Sequence, residues 1–323
     1  MEIGSVKTVC KPERYMGKSE NAYWLRERKC EMNFAQRAPF WFLTANNQPR
    51  IIFADAQDFK AAMNATAVGV ARTNVTEYMH VIMNNHGHWV FGGCSENDCM
   101  AFWSYWRNSM AAVEEDKGCK SDLRKWGCHL VEVTDLKQLR SVIAYTARNP
   151  YNSNIDCSPY GYKWTTADLI YNNNLIENAI ATEINSVNVN ERRRICRTRD
   201  YNLPEAYRFY DGMITKSSYV DIRGVEELFV SGKQYFRYLA RNVEADIETS
   251  RFVGEVLKVN DSDMFSNVSS WCHKDYGINS IRELTPTQRV DVAKRMRYDY
   301  NSSNRQIANI LRIPEDMVDR MFP

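Results

Sequence analysis

The chain has no apolar run near the roughly 18 uninterrupted residues that a membrane-spanning helix requires. Its opening, MEIGSVKTVCKPERYMGK, is too polar for a secretory signal. It also lacks an excess of either charge: 42 Lys and Arg stand against 40 Asp and Glu, a net charge of +2. That balance excludes the strongly basic composition that would by itself announce a nucleic-acid partner, so such a partner has to be argued from local features. The nine cysteines are an odd number and read as reduced thiols rather than a disulfide framework. No internal repeat and no low-complexity tract is present. The expectation is a soluble, cytoplasmic protein without membrane association. At 323 residues and 44% hydrophobic composition it has ample material for a packed core and for more than one domain.

What is present is a clear alternation of strand and helix signals up to about residue 148. Phe40 to Leu43 and Ile51 to Phe53 read as two short strands around the turn-forming AsnAsnGlnProArg. Asp55 caps an expected helix carrying Phe59, Ala62 and Met63. Thr76 to Phe91 is strand-like, with Asn84-Asn85 as a turn or bulge. Glu96 to about Asp116 predicts an aromatic-rich helix ending near Gly118, Cys128 to Val133 another strand, and Asp135 to Arg148 a helix opened by Asp135 and Gln138 and stopped by Pro150. Short connections between alternating elements favour an α/β or α+β sheet covered by helices.

Histidine is scarce, yet three of the five, His80, His86 and His88, fall within nine positions. On a strand, His86 and His88 point to one face and can reach one ion, with Gly87 leaving the other face open. Two ordinary strand histidines are the alternative. Cys94, Cys99, Cys119, Cys128 and His129 offer a competing zinc set, but without the tight Cys-x-x-Cys pairs that zinc prefers. His80 is expected to be structural. In the helix ending at Arg148, Leu136, Leu139, Val142, Ile143 and Ala147 form the predicted buried stripe. Tyr145 and Asn149 lie off it and four apart, hence on one face.

Four pieces in order resemble one family: PheTrpPheLeuThrAlaAsnAsnGlnProArgIleIlePhe at 40–53, MetAsnAsnHisGlyHis at 83–88, TyrThrAlaArgAsnPro at 145–150 and TyrLysTrpThrThrAla at 162–167. The resemblance is to the REP-associated tyrosine transposases, relatives of the insertion-sequence-200-like transposases among the HUH single-strand DNA nucleases. Asn84 stands where the family pattern has proline. The resemblance implies an α+β fold with a ferredoxin-like antiparallel sheet, and a divalent metal ion, Mg²⁺ or Mn²⁺, held by His86, His88 and Asn149. It further implies that Tyr145 is a nucleophile forming a 5′-phosphotyrosine, in a DNA nicking and joining enzyme for transposition and recombination. The implied partner is single-stranded DNA with hairpin or palindromic ends, bound by a monomer or homodimer.

The expected organisation is an N-terminal extension (1–37), the transposase-like catalytic domain (38–175), a helical accessory region with a basic strip (176–280) and a C-terminal helix-turn-helix module (281–323). The module is read from two helices, the second opened by Ser303 and Gln306, and a third opened by Pro314, Glu315 and Asp316. Arg148 beside the tyrosine, Arg192, Arg193, Arg194 and Arg197 of the strip that ends at Arg199, and Arg305, Arg312 and Arg320 are the expected DNA-binding residues. A non-catalytic DNA-binding regulator that retains the fold is the alternative function, and a zinc-stabilised interaction protein a third.

Overall fold

The computed structural model describes residues 18–46, 48, 50–118, 121–153, 160–172, 180–196, 203–240, 249–250, 252–253 and 261–322. Helix α1 (Lys18–Arg37) precedes a four-stranded antiparallel sheet. Its strands and flanking helices run β1 (Phe40–Ala45), α2 (Ala56–Arg72), β2 (Thr76–Ile82), β3 (Gly87–Gly92), α3 (Glu96–Asp116), β4 (Cys128–Val133) and α4 (Leu136–Ser153). The spatial order β2-β3-β1-β4 with β-α-β-β-α-β connectivity is the ferredoxin-like arrangement. The helices start where their caps dictate. Asp55 accepts from the backbone N–H of Gln57 and Asp58, Ser95 and Asp98 form a reciprocal capping box, and Asp135 Oδ1 accepts from Gln138 N at 2.8 Å.

Both faces of the sheet are covered, so β3 is buried at every position. On one face Phe40, Phe42, Met79, Val90 and Val133 pack with Leu139, Val142 and Ile143 of α4. On the other, Leu43, Trp89 and Phe91 pack with Met63 of α2 and with Phe102, Trp103 and Trp106 of α3. Helices α2 and α3 lie close together because Gly69 has no side chain: a Cβ there would stand 2.9 Å from the Phe102 ring. Trp89 is the strongest register lock. Its ring centroid is 4.8 Å from that of Trp106, 5.8 Å from Phe102 and 6.4 Å from Trp103. A buried aromatic of this size removes roughly 150–250 Å² from water, about 4–6 kcal/mol at about 25 cal/mol per Å². A one-residue slip would give that up by turning Trp89 to the opposite face.

Edge strand β2 is closed off by later chain. Ile82 N donates to Trp164 O (2.9 Å), Thr166 N to His80 O (3.1 Å) and Asp221 N to Glu77 O (2.8 Å), which satisfies the exposed edge. The buried Lys216 holds this cover in place through Thr165 O (2.9 Å) and the Asp168 carboxylate (2.6 and 2.7 Å).

The N-terminal extension has a structure that its period does not show, and three sequence expectations need correction. Residues 18–37, with no evident apolar period, form α1, because few side chains specify it: Cys30 is buried, Phe34 stacks on Phe40 at 5.1 Å, and Arg140 of α4 reaches Glu27 Oε2 at 3.1 Å. Ile51 to Phe53 is not a strand; the N–H groups of Ile52 and Phe53 both donate to Asn84 O, at 2.8 and 3.0 Å, and lay the segment over the β2–β3 turn. Helix α4 does not stop before Pro150 but runs through it to Ser153. Residues 142–150 are all buried, because α4 is covered by the sheet on one side and by α1 and later helices on the other. The single buried stripe expected from periodicity is therefore too narrow.

The region after α4 is not only helical. It holds a three-stranded antiparallel sheet of β5 (Thr182–Glu183), β6 (Arg208–Tyr210) and β7 (Met213–Ile214), with α5 (Val189–Cys196), α6 (Ile222–Glu226) and α7 (Gly232–Leu239). Four C-terminal helices follow: α8 (Asp261–Tyr276), α9 (Pro286–Tyr300), α10 (Asn304–Leu311) and α11 (Glu315–Met321). Met264, Val268, Trp271 and Cys272 of α8 share one core with Val292, Met296, Ile307, Leu311 and Val318, so the packed unit begins at Asp261, ahead of the expected 281. The reciprocal capping box lies at Thr285 and Gln288; Ser303 caps α10, while the Gln306 amide donates to Asp261 Oδ1 at 2.8 Å. The expected break at Arg312 is a left-handed residue, with φ of 54°. No helix among the described residues is long and apolar enough to cross a membrane.

Glu114 of α3 ties the segment after β1 to this helix. It accepts from Arg50 Nη2 at 2.9 Å and from Ser121 Oγ at 2.7 Å. Burial pushes its carboxyl up, but the hydrogen bonds from Arg50 and Ser121 and the Arg50 charge outweigh this and hold it below the ordinary 4.5. A carboxyl depressed on folding stabilises the fold above its unfolded pKa and loses that contribution as pH falls through the folded value. The urea midpoint of the wild type should therefore drop more steeply below about pH 4.5 than that of Glu114→Gln. Parallel profiles would show that the ion pair contributes nothing.

Candidate functional site

The β2–β3 hairpin carries the histidines. Its turn closes through Met83 N donating to His86 O at 2.8 Å, across Asn84 and Asn85. Trp89 faces α3, so His88 faces α4. It lies opposite Thr44 of β1 and Val81 of β2, is fully buried and stacks on Phe42, with centroids 5.7 Å apart. The His86 ring stands 4.8 Å from that of His88 at an interplanar angle of 88°. His86 Nδ1 donates to Asn85 Oδ1 at 2.7 Å, which sets the tautomer with the ring's lone pair on Nε2.

Gly87 is needed for a reason sequence spacing does not show. A Cβ there would stand 2.7 Å from the Trp89 indole and 3.1 Å from Ile82 Cδ1.

Helix α4 brings Tyr145 to the same place. The phenol ring meets His88 edge-on at 6.1 Å and Phe42 at 6.5 Å. Tyr145 is only 2% exposed. Asn149, one turn further on the same helix face, is 6% exposed. The structure thus gathers His86, His88 and Tyr145 on one side of the sheet, with Asn149 next along the helix. In chemical type the donors suit a divalent ion, since imidazole nitrogen and carboxamide oxygen are both common metal ligands.

The remaining histidine of the cluster points away. The bulge between Glu77 and Met79 puts Glu77 and His80, three apart, on one face. There His80 Nδ1 bonds Glu77, Nε2 lies 3.2 Å from Met63 Sδ, and the ring stacks on Tyr219. Among the described residues the candidate zinc ligands do not converge. Cys94 and Cys99 are buried with sulfurs 3.6 Å apart, and the hydrogen bond between them pulls Cys94 down and pushes Cys99 up. Burial pushes the Cys128 thiol up to about 11. Cys119 lies outside the described residues. Among the described residues no three His, Cys, Asp or Glu side chains converge on one point.

The arginines are dispersed. Arg148 is buried, its guanidinium 5.7 Å over the Tyr151 ring. Arg192 bonds Asn185 Oδ1 at 2.8 Å, whereas Arg193 and Arg194 are exposed on α5; Arg197 and Arg199 lie outside the described residues. Arg305 and Arg312 are exposed, and Arg320 pairs with Asp316 at 2.9 Å. Two polar residues belong to the site's face that sequence reading did not place there. Thr44 pairs with His88 and also with His129 of β4; the signal that assigns them is strand register, which depends on which strands are neighbours.

No family model and no curated protein matches the chain. Among solved structures it is similar to one described as a REP-associated tyrosine transposase bound to a REP hairpin. The identity is 14% and the TM-score 0.34, over 40% of this chain and 77% of that one. A likeness at that TM-score leaves the function to the site's own side chains.

Adding a methyl at position 87 must displace a packed indole. Gly87→Ala is expected to lower stability by about 1–3 kcal/mol, measured by chemical denaturation; a change under about 0.5 kcal/mol would contradict the contact with Trp89.

Proposed function

We propose that the protein is a metal-dependent nuclease and strand transferase for single-stranded DNA, with Tyr145 as nucleophile and His86, His88 and Asn149 as ligands of a Mg²⁺ or Mn²⁺ ion. The observation that carries the reading is the meeting of two imidazoles from the β2–β3 hairpin with a helical phenol, the His86 and His88 rings 4.8 Å and the His88 and Tyr145 rings 6.1 Å apart. When bound, the ion neutralises charge on the scissile phosphate and favours loss of the phenolic proton. Tyr145 attacks phosphorus, forming a 5′-phosphotyrosine and freeing a 3′-hydroxyl. A covalent route keeps the phosphodiester energy for rejoining, which hydrolysis would discard.

At 2% exposure Tyr145 has to be uncovered before it meets DNA, so substrate binding and opening of the α4 face are coupled, and Arg148 becomes available in the same step. Hairpin or palindromic DNA is the proposed substrate, with Arg192, Arg193 and Arg194 as backbone contacts. Helices α9 to α11 are proposed as a helix-turn-helix unit that docks through Arg305 and Arg312. Its last helix opens with Glu315 and Asp316 and its Arg320 is engaged, so α11 is a poor phosphate contact.

The burial of Tyr145 favours a second reading, a DNA-binding regulator that retains the fold. One experiment separates the two. Wild type mixed with labelled hairpin DNA and Mn²⁺ should give an adduct that survives a denaturing gel and is lost with chelator and in Tyr145→Phe. An adduct that persists in the variant would move the nucleophile to Tyr151. Binding that is indifferent to chelator, with no adduct, would establish the regulator.

A further inference from the structure

The sheet register brings another imidazole into line with the His pair. His88 lies opposite Thr44, and Thr44 opposite His129, so all three side chains project to the α4 face. His129 is two strands from His88, about 10 Å at ordinary strand spacing. Its neighbours are covered, His88 at 0%, Thr44 at 3% and Val133 at 1% exposure, whereas His129 is exposed.

The ring is nevertheless held. Its Nδ1 donates to the Val253 carbonyl at 2.8 Å, and Val253 is fully buried in the same core as Phe42 and Tyr145. A hydrogen bond to a fixed carbonyl sets the tautomer and turns Nε2 away from Val253. Two strands from His88, the His129 ring does not converge with His86 and His88 on one point among the described residues. It is an anchored, solvent-reachable imidazole on the reacting face, on the β4 side of Thr44. Tyr145 stands over Phe42 and His88 on the β1 and β3 side. An in-line displacement puts attacking and leaving oxygens on opposite sides of phosphorus, so a proton donor for the leaving oxygen has to come from an element other than the helix that carries Tyr145.

We propose that His129 is the catalytic residue that protonates the leaving 3′-oxygen, a role that rests on the nuclease reading above. The Tyr145 oxygen forms a bond to phosphorus as the phosphorus–O3′ bond breaks. The electron pair of that bond goes to O3′, which takes the Nε2 proton of the His129 imidazolium and leaves the neutral ring with its Nδ1–H on Val253 O. The phenolic proton passes to water, and the imidazole regains a proton from water. In rejoining, the same nitrogen accepts the proton of the attacking 3′-hydroxyl, as microscopic reversibility requires.

The test compares wild type and His129→Gln on two hairpin DNAs at saturating concentration with Mn²⁺. One has the natural oxygen at the scissile 3′ position and the other sulfur, whose thiolate leaves without a proton. Adduct formation by the variant is expected to fall by roughly 10²–10⁴-fold on the oxygen substrate and to recover to near the wild-type rate on the sulfur substrate. Equal slowing on both, with wild type active, would overturn this role alone and leave a structural one. Wild type that forms no adduct with either DNA would overturn the nuclease reading and this role together.

Discussion

The site depends on the register of β3, and that register is held by Trp89. The indole sits among Phe102, Trp103 and Trp106 on the α3 side of the sheet, so the residue before it must project to the α4 side. That residue is His88, directly opposite Thr44. Gly87 leaves the room that the edge of the indole occupies. The apolar contact that stabilises one face of the sheet thereby aims the polar chemistry of the other. The β2 bulge does the complementary work by turning His80 out of the site and into a buried pair with Glu77.

Helix α4 is the second element fixed by packing. Its inner side meets Phe42 and His88. Its outer side is held by Arg140, which donates to Leu228 O at 2.7 Å and pairs with Glu27 of α1. Parts of the chain remote in sequence thus clamp the helix that carries Tyr145. Closure of this kind explains why the phenol is almost fully covered.

Much of this was legible in the sequence where the signal is local. The strand of His88, the Asp55 and Asp135 caps, the extent of α3 and the three helices after Thr285 follow from period and capping chemistry, whereas His86 falls in the turn just before β3. The ordered motif pieces linked His86, His88 and Tyr145 before any geometry was known. Non-local information was out of reach. Helix α1 is specified by a few long-range contacts and has no apolar face of its own. Ile51 to Phe53 has strand-forming residues but finds its partner in the Asn84 carbonyl. The burial of Tyr145 arises because α4 is covered on two sides, which a single-stripe reading cannot anticipate. His129 belongs to the face only through the β1–β4 register, and sequence proximity had grouped it instead with cysteines that pack elsewhere.

The central claim is that strand register places two imidazoles where they share one divalent ion beneath the Tyr145 helix. Pulsed electron paramagnetic resonance of Mn²⁺ bound to the full-length protein tests it most directly. The account predicts nitrogen couplings from two histidine imidazoles that vanish in the His86→Ala, His88→Ala double variant. Mn²⁺ bound without imidazole coupling, or with couplings unchanged in that variant, would contradict it.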